Sequence, residues 1–162
     1  MKETDLLQQL KEGKLQKGLK LNTLNVALKV AEANLGDLSI GEAVEDVPAL
    51  MSSLENVCHR VSAITGFNLP KNEVLEQLIE ELLKFLTEPP YSKLTIEEIL
   101  LAFRFSRNDN MKYPSGLDIE FPTIQGSHIS VYYFSRVLSI YLKLRNHILQ
   151  ELQILAEKDA EL

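Results

Sequence analysis

Leu94-Thr95-Ile96-Glu97-Glu98-Ile99, running on into Leu101-Ala102-Phe103-Arg104-Phe105, is the stretch that decides the fold of this 162-residue chain. Thr95 is placed to accept from the backbone N–H of Glu98. The Glu98 carboxylate is placed to reach back to Thr95, and Leu94 and Ile99 can close a hydrophobic staple around the box. Such a cap contributes on the order of 1 kcal/mol, and Glu97 and Glu98 sit at the favourable end of the helix dipole. These residues predict a helix start, and capping alone explains both glutamates.

Downstream the pattern lengthens. From about Ser130 to Lys158 there is neither Gly nor Pro, and Phe134, Tyr141, Ile148 and Leu155 recur every seven residues. Leu138 and Leu152 fill the second seam, which Arg145 interrupts. A heptad pattern of this length predicts one long amphipathic helix that pairs with another helix. The six residues Phe134, Leu138, Tyr141, Ile148, Leu152 and Leu155 are therefore the candidate oligomer face, with the wide apolar Leu75–Leu86 face as the alternative and a fold-back of Asn22–Asn34 as the competing cover.

Upstream, Leu50, Leu54, Val57, Val61 and Ile64 step by four and three, which keeps them on one helical stripe. Pro48 suits the first turn and Gly66 the left-handed stop. Val74 to Leu86 gives a wide apolar face, ended by Glu88-Pro89-Pro90, because proline disfavours helix before it and lacks a donor. Leu24, Ala27, Leu28 and Ala31 predict a helix capped by Asn22 or Thr23, and Leu38–Glu45 a connector or single turn.

The expected fold is all-α, about five helices in a bundle. It divides into an N-terminal arm or short helix over 1–20, a helical core over 21–128, and the long helix over 129–162, packed on the core and open to a partner. Gly13 and Gly18 weaken any helix in the arm, where Lys11, Lys14, Lys17 and Lys20 would form a rotating basic stripe suited to phosphates. Residues 107–128 hold Pro114, Gly116, Pro122 and Gly126 and predict a long loop. Within it Leu117, Ile119 and Phe121 alternate with acids, as a short extended piece packing on the helices would.

Composition narrows the function. An apolar content of 45% with 25% charged residues is that of a globular protein with a real core. No apolar run nears the roughly 20 residues of a membrane span, and Met1-Lys2-Glu3-Thr4-Asp5 lacks a signal-peptide pattern. Cys58 is the single cysteine, so no internal disulfide or cysteine zinc cluster can form. A cytoplasmic protein is expected. The net charge of −6 argues against a generic nucleic-acid binder.

No glycine loop for phosphates and no His-Glu-x-x-His helix is present. Cys58, His59 and Ser62 lie on one helix and cannot converge as a triad, and Cys58 reads as a small buried hydrophobe. His128 and His147 lack a second ligand at metal spacing. The reading is therefore not an enzyme, with no cofactor and no metal. What remains is a recognition face: Tyr132, Arg136, Lys143 and Arg145 offer a stackable ring and phosphate-seeking cations, set against the alternative of a solvated helix face.

Three motifs carry a resemblance: Gly66-Phe67-Asn68-Leu69-Pro70, then Leu94–Ile99 with Ala102-Phe103, then Tyr133-Phe134-Ser135-Arg136-Val137-Leu138 leading to Tyr141 and Arg145. Over roughly residues 67–145 the chain resembles a loosely defined family of small helical proteins of phages and mobile elements of gut bacteria. Their layout looks like that of helicase loaders and primosome accessory proteins. The Asn108–Ser127 loop is longer here than in the family pattern. The resemblance implies a non-enzymatic adaptor in DNA replication that binds a replicative helicase or initiator, with single-stranded DNA a possible second ligand, in a homo-oligomer without membrane contact. The alternative is a protein–protein regulator or structural phage component that touches no nucleic acid.

Overall fold

The computed structural model describes residues 1–122 and 128–161. Among the described residues seven α-helices account for the architecture: α1 (Glu3–Lys11), α2 (Leu21–Leu35), α3 (Ile40–Ala43), α4 (Val47–Thr65), α5 (Asn72–Leu86), α6 (Ile96–Ser106) and α7 (Val131–Glu161). Two 3-10 turns, Gln16–Gly18 and Tyr91–Lys93, join them. Among the described residues the only extended pairings are the isolated bridges Ser39–Thr95 and Asn68–His128. No described helix is long and apolar enough to cross a membrane.

The axis of the bundle is α7, 31 residues long and so about 46 Å from end to end. It packs against α1, α2, α5 and α6, while α6 also meets α2 and α4. Phe134, Leu138, Tyr141, Ile148 and Leu152 are all fully buried within the single chain, and Leu155 is half-buried. This corrects the expected oligomer face. The seven-residue repeat is satisfied by several short helices of the same chain instead of one long partner. The fold-back cover is real but broader than Asn22–Asn34 alone.

The caps at Pro48, Gly66 and Thr95 follow the sequence reading, and the structure adds Asp46 and a Ser39–Glu42 box. Asp46 accepts from the N–H of Ala49, Pro48 lies in the first turn of α4, and Gly66 ends it with φ at 76°. Ser39 and Glu42 form a reciprocal box at the four-residue α3. Thr95 accepts from Glu98 N at 3.0 Å and donates to the carbonyl of Ala33 at 2.8 Å. Leu94 and Ile99 are both buried. At α2, by contrast, neither Asn22 nor Thr23 is the cap. The helix begins at Leu21 after an extended Lys20 with no side-chain cap, and Thr23 is buried.

The first twenty residues form no free arm. Leu6, Leu7 and Leu10 of α1 enter the core, so the count of helices rises above five. Gly13, with φ at 93°, follows α1 instead of interrupting it. A β-carbon at Gly18 would overlap the Leu155 side chain, so glycine lets the chain pass close to α7. Because α1 stops at Lys11, the lysines from Lys11 to Lys20 do not share a helix and make no stripe. The part of the long loop at 123–127, Gly126 included, lies outside the described residues. Upstream of it Met111, Tyr113, Leu117, Ile119 and Phe121 pack on the core, without strand geometry.

Candidate functional site

Four buried polar side chains from three helices meet inside the bundle, and the half-exposed Glu3 of α1 joins them at its edge. Glu98, in the first turn of α6, is fully buried. Its carboxylate does not return to Thr95 as a capping box would. It accepts from Tyr141 Oη at 2.6 Å, from Arg145 Nε at 2.8 Å and from Asn34 Nδ2 at 2.7 Å. Arg145, 1% exposed, donates a second bond from Nη1 to Glu3 Oε2 at 2.8 Å. Lys93 Nζ lies 3.5 Å from the other Glu3 oxygen. α1, α2, α6 and α7 are thereby tied through one carboxylate and one guanidinium.

The electrostatics follow from that arrangement. Burial opposes the charge on Arg145, but Glu98 and Glu3 outweigh it and hold its pKa above the ordinary value. Burial also pushes the Tyr141 phenol well above its usual range, and the adjacent Glu98 charge adds to the effect. For Glu3 burial raises the carboxyl, yet the Arg145 bond, its charge and Lys93 pull it below 4.5 on balance. A carboxylate so enclosed and so fully engaged by donors has no path to a substrate. The cluster organises the core. Asn34 Oδ1 is the one buried oxygen within it that finds no partner.

This overturns one of the four predicted contact residues. Arg145 faces the core and cannot reach a phosphate. The other three lie on the outer face of α7. Tyr132 is 64% exposed, with the Arg136 guanidinium 5.7 Å above its ring centroid and Arg136 Nη1 donating to the phenol oxygen at 2.8 Å. Lys143 is exposed and donates to the carbonyl of Asp118 at 2.7 Å, pinning the long loop. The two members of the recognition face that point freely outward together are Tyr132 and Arg136.

Next to the start of α7 an apolar groove of about 480 Å³ runs along α5, walled by Pro70, Val74, Leu78, Ile129 and Val131. Val74 is 58% exposed. A second hollow of about 840 Å³ adjoins it, sharing Pro70, Lys71 and His128 and adding His59, Ser62 and Asn72. The bond from Ile129 N to Asn68 O, at 3.0 Å, fixes the chain between them. Ser62 Oγ is committed to the carbonyl of Phe67 at 2.6 Å. Cys58 is buried, and burial with the nearby Glu55 raises its thiol to about 12, so it is no nucleophile. His147 Nε2 lies 3.3 Å from Glu151. Among the described residues no three His, Cys, Asp or Glu gather as a metal site would require.

The class that fold and site define is a small all-helical bundle with a buried ion-pair core, an exposed aromatic–guanidinium pair on α7 and an apolar groove that ends at Val131. Comparison with models of known protein families, with curated proteins and with solved structures finds no match.

Proposed function

We propose that the protein is a non-enzymatic adaptor that docks a protein partner on the α5–α7 face, and that the partner belongs to the replication machinery of a phage or mobile element. One observation carries the docking half: Tyr132 and Arg136 are stacked and solvent-exposed, and an open apolar groove with the exposed Val74 ends at Val131, the residue before Tyr132. Tyrosine and arginine are the side chains that most often anchor interfaces, and a stacked pair gives up little rotamer freedom on binding. The replication half rests on the sequence resemblance, which makes a replicative helicase or an initiator the partner to test first. Single-stranded DNA is the lesser ligand: one predicted cation is spent inside the core, another on the loop, and the chain carries net −6.

The test is a titration of purified bacterial replicative helicase against the full chain, read by calorimetry, with Tyr132→Ala, Arg136→Glu and Val74→Asp alongside. Each substitution should weaken binding about tenfold or more, equivalent to about 1.4 kcal/mol, with the fold intact. No binding of the helicase, or equal binding by all three variants, overturns the proposal. Anisotropy of a labelled single strand at low and moderate salt completes it, since phosphate-driven affinity falls steeply with salt.

A further inference from the structure

We infer that the start of α2 is a small-molecule site, and that it binds a free amino acid with an aliphatic side chain. A hollow of about 280 Å³ lies where the first turn of α2 meets residues 151–155 of α7, lined by Leu19, Lys20, Thr23, Glu151, Ile154 and Leu155. That is just under the about 300–1,000 Å³ of sites for drug-sized ligands, so it suits a smaller metabolite. It shares no residue with the groove along α5.

Two independent observations mark the end that takes an anion. The 15-residue α2 carries no side-chain cap, and its first bond runs from Leu24 N to Lys20 O at 2.8 Å. The N–H groups of Leu21, Asn22 and Thr23 therefore meet no acceptor among the described residues, and with the helix dipole they favour a bound carboxylate. Thr23 supplies the second. It is only 3% exposed, yet its hydroxyl has no hydrogen-bond partner among the described residues. The fully enclosed atoms without a partner are Asn34 Oδ1 and His147 Nε2, so the Thr23 hydroxyl keeps its surface in the hollow it lines. A hydroxyl buried without a partner is costly, and a ligand oxygen would complete it.

The rest of the lining selects the ligand. Glu151 is the one acid among the described lining residues, and it would repel a simple carboxylate. The ligand therefore carries a cation as well as an anion. A free amino acid meets both demands: its carboxylate takes the α2 N–H groups, Thr23 and the Lys20 ammonium, and its own ammonium takes Glu151. Leu19, Leu155 and Ile154, the last 53% exposed, are left to cover an aliphatic side chain and lose water in doing so.

The test is a titration of the ¹⁵N-labelled full chain with valine, leucine and isoleucine, followed at the amide signals of Leu21, Asn22 and Thr23. At least one of the three should move those signals saturably, with a Kd of about 1 mM or tighter. Its deaminated acid and its decarboxylated amine should each bind about tenfold more weakly or worse, as loss of a charged contact implies. Thr23→Val should weaken the amino acid about tenfold without lowering the melting temperature, because the hydroxyl has no internal partner to lose. Glu151→Gln should weaken the amino acid and spare the deaminated acid. No saturable shift with any of the three, equal affinity for the deaminated acid, or a Thr23→Val variant that binds like the native chain or melts lower would each overturn the inference.

Discussion

Arg145 and Glu98 define the residue scale, because each is a buried charge and the other is its fully buried counter-charge. Replacing Arg145 with Ala leaves the Glu98 carboxylate enclosed with two neutral donors, Tyr141 and Asn34. Breaking a buried pair in this way costs about 3–5 kcal/mol. Urea unfolding measures it, and a loss under about 1 kcal/mol contradicts the placement. Glu3 adds a pH signature. Its folded carboxyl titrates below 4.5, so the unfolded chain takes up the proton first as pH falls. The contribution is whole above about 4.5 and fades as pH drops through the lower folded value. The stability gap between the native chain and Glu3→Gln should therefore be widest near neutrality and close in acid. A gap independent of pH argues against the pair. The location of Arg145 was legible in principle. At about 100° per residue, Arg136 and Lys143 fall within about 40° of Tyr132, whereas Arg145 falls about 140° away, in line with Tyr141 and Ile148. Residue type suggested a surface cation; angular position put it in the core. Glu3, far off in sequence, gave no local sign of being its second partner.

At the scale of elements, the ends of helices were the most readable feature. Pro48, Gly66, and Thr95 with Leu94 and Ile99 use local chemistry that needs only a few neighbouring residues, and the structure places them as the sequence implies. The helix at α1 was less legible because its reason for forming lies in the seat that receives Leu6, Leu7 and Leu10, distant in sequence. Thr95 shows both kinds of link: its hydroxyl accepts from Glu98 N and donates across to Ala33. Thr95→Ala should cost about 1–2 kcal/mol, as loss of a helix cap does, and Thr95→Ser should recover most of it. Equal midpoints in thermal melts for all three proteins would refute the double role. Leu7→Ala, at a fully buried site of α1, should cost about 2–5 kcal/mol. A free N-terminal arm would show no change in the same melts.

For the whole molecule, periodicity specified the all-α class and the long last helix, since both are written in the spacing of apolar residues. What it left open was which surface covers α7. A heptad stripe is satisfied equally by a partner copy or by short helices of the same chain, and only the tertiary arrangement distinguishes them. The candidate site divided on the same line: Tyr132 and Arg136 lie outward, as a sequence reading of exposed anchors implies, while the groove beside them is assembled from α5 and residues 129–131, which no local pattern brings together. The central claim is that the stripe through Ile148 and Leu152 is the interior of the fold, made from one chain's helices around the Glu98–Arg145 pair. The measurement that tests it most directly is the far-ultraviolet circular dichroism of the Ile148→Asp/Leu152→Asp double variant, taken with light scattering on the same sample. Two carboxylates at fully buried positions should abolish the cooperative helical signal. A variant that keeps the native helical spectrum as a stable monomer would contradict the account.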